Sequence, residues 1–345
     1  MHCPRLDHFV RLNATGKIGK CGHMTRAPEF ESLKNMQDSV WLEKIKKQME
    51  DNIWPKECLR CAMTEETSNT SIRLDMIERD KILNSIKKDY LIVGGVLDNI
   101  CNSACQSCNA GLSTKIGSLS SKNYKKINNY DNFFSLPQDR IVEVDVNGGE
   151  PTASPNYRRL LKNLPNSTKI IRINTNGSRV ISEIEELLKK EMRVIITLSL
   201  DGTKDVHDYG RWPILWRDYT KSVIRYIELR KRYTMLRLNF WTTVSCLNVG
   251  DLENIINYTK EVEIDHAYGF CIEPGQLDIR YVNELTTTAR ERLLSTGNKS
   301  VSAIANKCGA FGINNSAELK NFINSQDVLR KISFKDYFNF TLNLS

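Results

Sequence analysis

Alternating strands and helices predict an α/β protein built on a partial (βα)6, TIM-like barrel. From Tyr90 onward, short runs rich in Val and Ile recur, and segments with apolar residues at helical spacing lie between them. That alternation implies a parallel sheet with right-handed crossovers. A positional observation agrees with it. Cysteines, paired glycines and isolated charges fall just after the expected strands, where barrels place their active residues. A chain of 345 residues suits one large domain, or one domain with a small module.

Residues 1–88 read as a small cysteine-rich module followed by a linking helix. Phe9 to Cys21 alternates around Gly16 and predicts a short hairpin. Ser39 to Met49 predicts a helix with Val40, Trp41, Ile45 and Met49 on one face. Residues 70–89, carrying Ile72, Leu74, Ile77, Ile82, Leu83 and Ile86, predict the linking helix. The barrel spans 89–275, with strands expected at 90–97, 141–147, 169–175, 193–200, 235–246 and 265–273. Helices fit between them, around 154–163, 178–191, 218–232 and 249–261. Residues 276–345 predict a helical C-terminal extension, with helices at Leu285–Ser295 and Ser316–Ile332.

Composition excludes several classes. No apolar run reaches the roughly 18 residues that span a bilayer, so no membrane partner is expected. The start, Met1-His-Cys-Pro-Arg-Leu-Asp, has no signal-peptide core, and a cytoplasmic location is expected. The net charge of +8 comes from lysines and arginines scattered along helical faces, so nucleic acid is not the expected partner. Seven of the ten cysteines fall into two metal-like groups, which points to a reducing compartment and away from disulfides.

The densest chemistry is Cys101-Asn-Ser-Ala-Cys105-Gln-Ser-Cys108, at spacing C-x3-C-x2-C after the first barrel strand. Three thiolates are too few for a closed structural zinc site. They suit a [4Fe–4S] cluster with one iron left open. After the next strand comes Val146-Asn147-Gly148-Gly149-Glu150-Pro151. Together, in this order and each at a strand end, the two motifs resemble the radical S-adenosylmethionine (radical SAM) superfamily, whose fold is the same partial barrel.

The resemblance implies an enzyme of oxidoreductase or transferase type. Cys101, Cys105 and Cys108 would hold the cluster, and its open iron would chelate S-adenosyl-L-methionine. Reductive cleavage would give a 5′-deoxyadenosyl radical that abstracts a substrate hydrogen, with electrons from a flavodoxin- or ferredoxin-type donor. Gly148 and Gly149 would let the backbone approach the methionine moiety, and Glu150 would accept from its ammonium. Thr175 and Asn176 stand in a family-like turn facing the cofactor or substrate. Ser199 matches a position that contacts the cofactor carboxylate, and Asp201 shares its face. Arg211 matches an arginine that pairs with that carboxylate. Ser107 departs from the family, where an aromatic or large apolar residue commonly precedes the third cysteine. Its backbone can still bind adenine, but the packing must come from elsewhere.

In the first module, Cys3, Cys21, Cys58 and Cys61 can close a four-thiolate site. Structural zinc is one reading. The pattern also resembles the auxiliary iron–sulfur modules called twitch and SPASM, and its four cysteines match the single-cluster twitch type. Those modules usually follow the barrel, whereas this one precedes it. His207, Cys246 and Cys271 are expected to be structural, and Asn248 and Glu273 are candidate contacts. The module type implies a peptide or protein substrate, with a nucleotide or other small molecule as the alternative. The rival class is a non-catalytic zinc-binding scaffold.

Overall fold

The computed structural model describes residues 1–120, 124–296 and 299–338. All six expected strands form, in the expected order: β3 (Leu91–Asp98), β4 (Ile141–Gly148), β5 (Ile170–Thr175), β6 (Arg193–Ser199), β7 (Leu236–Val244) and β8 (Asp265–Phe270). The hairpin of the first module is β1 (Phe9–Leu12) and β2 (Ile18–Gly19). It does not stand apart. β1 pairs in parallel with β3, Phe9 beside Ile92, and the whole is one open sheet ordered β2-β1-β3-β4-β5-β6-β7-β8. Among the described residues β1–β2 is the one antiparallel pair of strands in the sheet.

Two strands end earlier than their apolar runs suggest. After Val244 the Ser245 N–H bonds the Asn248 side-chain oxygen at 2.8 Å, which turns the chain away from β7. β8 closes at Phe270 rather than at 273. The helix expected over 178–191 is only Ile184–Lys189. In the first module, Ser39 caps the helix Val40–Glu50. Leu42, Ile45 and Met49 are buried while Val40 is 78% exposed, so the apolar stripe begins at Leu42.

Side chains alternate across a strand, so each strand serves two layers; in β4 a bulge, with Leu91 opposite Ile141 and Ile92 opposite Glu143, breaks the alternation at Val142. On one face Val144, Ile171, Val194, Ile196 and Leu238 meet the surrounding helices in the main core. On the other, Ile92, Val142, Ile170 and Ile195 cluster with Met76 and Leu83 of the linking helix Ile72–Ile86. That helix therefore plugs the N-terminal end of the inner face. Its buried stripe is Met76 and Leu83; Ile82 and Ile86, expected to be apolar anchors, are exposed.

Above this plug the inner face turns polar. Fully buried Glu143 pairs with Arg172 Nε at 2.6 Å and with Arg79 of the plug helix. Burial pushes the neighbouring Asp145 carboxyl up to about 6, Glu143 adds to the rise, and Arg172 and Arg79 oppose it. A carboxyl raised above its unfolded value supports folding fully only below that value, near ~3.9. The support is lost as pH rises through about 6. Asp145→Asn is therefore expected to stabilise the protein by about 2–3 kcal/mol at pH 8 and to be neutral near pH 4. Denaturant melts at the two pH values check this, and equal stability of both proteins at pH 8 would contradict it.

The C-terminal extension is a packed part of the molecule. Helices form at Glu284–Ser295 and Ser316–Arg330, and a further one at Lys299–Ala305. Leu319, Ile323, Phe334 and Phe338 build a second core with Tyr209, Cys246 and Cys271. The end of the expected extension, 339–345, lies outside the described residues. Among the described residues no helix is long and apolar enough to cross a membrane.

Candidate active site

The loops after β3 and β4 are joined through their backbones. Gly149 N–H donates to the Asp98 carbonyl at 3.0 Å, and Glu150 N–H donates to that of Ile100 at 2.7 Å. Such contact leaves no room for side chains. A Cβ at Gly148, where φ is +155°, would lie 2.0 Å from the Asp98 carbonyl oxygen. One at Gly149 would lie 2.0 Å from that of Ile100. The glycines thus serve the chain's own close packing as well as any ligand. Asp98 secures the junction by accepting from Ile100 N–H at 3.0 Å and from the Ser154 hydroxyl at 2.5 Å.

At the C-terminal ends of the strands lies a cavity of about 270 Å3 lined by Cys101, Cys105, Cys108, Ser107, Gly148, Gly149, Thr175, Asn176, Ser199 and Arg211. Residues separated by more than a hundred positions in sequence thus meet on one wall. Glu150 and Asp201 do not line it. Glu150 is fully buried behind it and accepts from Thr152 N–H at 3.1 Å, Thr152 Oγ1 at 2.9 Å, Thr175 Oγ1 at 2.8 Å and Asn176 N–H at 2.7 Å. Its carboxylate braces the Thr175–Asn176 turn instead of reaching for an ammonium. Burial raises its pKa, and those four donors pull it back. Asp201 accepts from Thr243 N–H at 2.7 Å and pairs with Arg211 Nη2 at 2.8 Å.

Arg211 therefore stands between Asp201 and the cysteines, its Nη1 3.5 Å from Cys105 Sγ. Its Nε and Asn147 Oδ1 are both buried without a partner, although other atoms of the two residues line the cavity. The Ser103 hydroxyl lies 3.3 Å from Cys101 Sγ and 3.5 Å from Cys105 Sγ. Burial pushes the Cys108 thiol up to about 12 and raises that of Cys101. Thiols so buried lose their protons to a bound metal rather than to water.

Among the described residues no three Cys, His, Asp or Glu side chains converge to hold a single metal ion. In a four-iron cluster each thiolate takes a different iron, so the requirement is three thiols opening on one cavity. That requirement is met. The three thiols, with the Arg211 guanidinium beside Cys105, fit such a cluster.

The remaining expected residues are placed elsewhere. His207 is buried against the rings of Trp216 and Tyr219, centroids 5.4 and 4.6 Å away, and burial holds it neutral with a pKa of about 3. Cys246 and Cys271 sit in the second core. Asn248 donates to the carbonyls of Asp201 and Thr243 at 3.2 and 2.9 Å. Four cavity residues escaped the sequence reading: Ser103, Leu112, Asn147 and Asn174. For Asn147 and Asn174 a signal existed. Asp145 and Asn147, and likewise Arg172 and Asn174, put polar residues at alternate positions of apolar strands, the mark of a polar inner face.

Cys3, Cys21, Cys58 and Cys61 also line a single cavity, with Arg5, His23, Trp54 and Arg73 around them. Burial pushes Cys3 up to about 11 and Cys58 up to about 12, and their neighbouring thiols add to the rise. Cys3 precedes β1, whose Phe9 pairs with Ile92 near the start of β3, whereas Cys101 follows the end of β3. The rise from Ile92 to Asp98 alone puts roughly 20 Å of strand between the two ends. The two cysteine groups occupy opposite ends of the sheet.

No protein-family model matches the chain. Over 110 residues the chain is 30% identical to mycofactocin maturase MftC of Mycobacterium tuberculosis, a stretch that makes up 31% of this chain and 27% of that protein. The chain spans only about a quarter of the length of the curated relatives it matches. Among solved structures, SuiB of Streptococcus suis bound to S-adenosylmethionine aligns with 84% of this chain and 68% of its own, at 14% identity and a TM-score of 0.43. The AdoMet-bound anSMEcpe aligns with 59% of this chain and 60% of its own, at 17% identity and a TM-score of 0.41.

Proposed function

We propose that the chain is a radical SAM enzyme acting on a peptide or protein. The observation that carries this reading is the single cavity at the strand ends, where three cysteines meet Gly148, Gly149, Ser199 and Arg211. A [4Fe–4S] cluster with bound S-adenosylmethionine would supply reductive cleavage to a 5′-deoxyadenosyl radical and hydrogen abstraction from substrate. Cys101, Cys105 and Cys108 hold the cluster in this reading. Arg211, steadied by Asp201, offers its guanidinium to the cofactor carboxylate, and Asn147 is a polar residue of the same lining. Glu150 fixes the Thr175–Asn176 turn that lines the same cavity.

The peptide substrate rests on the twitch-like cysteine pattern and on the local match to a maturase. The N-terminal thiolates hold an auxiliary iron–sulfur cluster, with zinc the competing occupant. A four-thiolate site at the far end of the sheet is badly placed for substrate contact, so its role is to tie β1, β2 and the plug helix together or to pass electrons. The donor is a flavodoxin- or ferredoxin-type protein in a reducing, cytoplasmic setting, where ten free cysteines persist.

Anaerobic purification with iron, sulfide and zinc analysis tests the reading, together with electron paramagnetic resonance of the reduced protein. Two four-iron clusters, about eight irons per chain, with a spectrum perturbed by S-adenosylmethionine are expected. Four irons plus one zinc would keep the enzyme and assign the N-terminal site to zinc. Zinc without iron would end the radical reading and favour the scaffold.

A further inference from the structure

The helix Ser316–Arg330, distant in sequence from every motif, ends against the back of the cysteine loop. Its last residue, Arg330, is 2% exposed. Nε donates to the Ala104 carbonyl at 2.7 Å and Nη2 to the Cys105 carbonyl at 3.1 Å, while Nη1 donates to Gln326 Oε1 at 2.5 Å. The same loop is held by its amides. Ala104 N–H donates to the Trp212 carbonyl at 2.7 Å and Gln106 N–H to that of Gly210 at 2.9 Å. Donors of the loop are thus taken by the segment carrying Arg211, and acceptors by one guanidinium fork.

The helix bearing that fork is itself anchored. Asp327 accepts from the Tyr209 hydroxyl at 2.9 Å and from Phe334 N–H at 2.7 Å, and Leu319 and Ile323 are buried beside Tyr209. The acceptors that Arg330 bonds are neutral carbonyl and amide oxygens; the Asp327 carboxylate one turn earlier favours its charge, but burial outweighs that support. Packing alone does not call for a buried cation there, because a charge taken out of water is costly unless something gains from it. The loop that carries Cys105 and Cys108 is what lies in front of it. Thiolate ligands of a reduced cluster bear net negative charge, which a buried positive charge stabilises.

We propose that Arg330 is a positioning residue for the cluster: its fork sets the backbone at Ala104 and Cys105, and its charge raises the cluster's reduction potential. The inference rests on the radical SAM reading above. It makes the C-terminal extension part of the cluster-binding apparatus, so that the potential is governed partly from outside the barrel.

Two variants of the full chain separate fork from charge. Arg330→Lys keeps the charge but cannot bond both carbonyls in one plane; Arg330→Met keeps much of the volume and removes both. Hydrogen exchange over residues 101–108, measured before cluster reconstitution, is expected to quicken in both variants. After anaerobic reconstitution, a redox titration followed by electron paramagnetic resonance is expected to leave the Lys variant near wild type. In the Met variant the reduced-to-oxidised ratio at fixed potential is expected to fall about tenfold, a shift of ~59 mV for one electron. Should the Met variant fail to fold, a Lys variant with wild-type exchange over 101–108 overturns the positioning role. Unchanged exchange and unchanged potential in a folded Met variant overturn the whole inference. Wild-type chain that takes up no cluster would fail the radical SAM reading itself, a result distinct from a loaded wild type with indifferent variants.

Discussion

Replacing Cys105 by alanine is expected to abolish formation of 5′-deoxyadenosine from S-adenosylmethionine while leaving the fold intact. Cys105 is buried, 3.5 Å from both Ser103 Oγ and Arg211 Nη1, at the centre of the three-thiol wall. Two thiolates cannot hold a four-iron cluster in place of three, so iron at this site should fall to background. A buried Cys→Ala change removes one small sulfur atom, and the expected loss of stability is about 1 kcal/mol. Iron analysis, product chromatography and a thermal melt check the three parts. Wild-type iron content and cleavage in the variant would remove the assignment.

A methyl group at Gly149 should be almost as damaging, by a different route. Its Cβ would stand 2.0 Å from the Ile100 carbonyl oxygen and 2.8 Å from the Asn99 carbonyl carbon, both backbone atoms of the segment leading into Cys101. Neither can swing aside as a side chain would. Relief requires the β3 and β4 loops to part, breaking the Glu150-to-Ile100 bond at 2.7 Å and moving the first cysteine. Gly149→Ala is therefore expected to cost about 3–5 kcal/mol, a fall in melting temperature of about 4–7 °C. Cluster content should fall with it, although no ligand is touched. A variant with normal melting temperature and full iron would show that the junction is looser than these contacts imply.

The cysteine spacing, the Gly-Gly-Glu motif and the strand–helix rhythm were legible because each is local. A thiol's chemistry and a strand's period do not depend on distant residues, and all six strands and the linking helix form where the pattern put them. The site was legible in membership: every expected cofactor residue except Glu150 and Asp201 lines the one cavity. Those two stand behind it for one reason. A carboxylate beside a motif looks like a ligand group until its partners are known. Four donors around Glu150, and Thr243 N–H and Arg211 around Asp201, come from other loops.

Which thiols exist and what they can bind is written in the chain, because residue type sets donor chemistry and period sets the strands. What those groups face was decided only on folding. β1 beside β3 sends the four-cysteine site to the far end of the sheet, Met76 and Leu83 make a linker into a plug, and Arg330 reaches the cysteine loop across 226 residues. Each of these is a contact between segments with no shared local pattern, selected by the burial of apolar faces and the pairing of buried polar atoms.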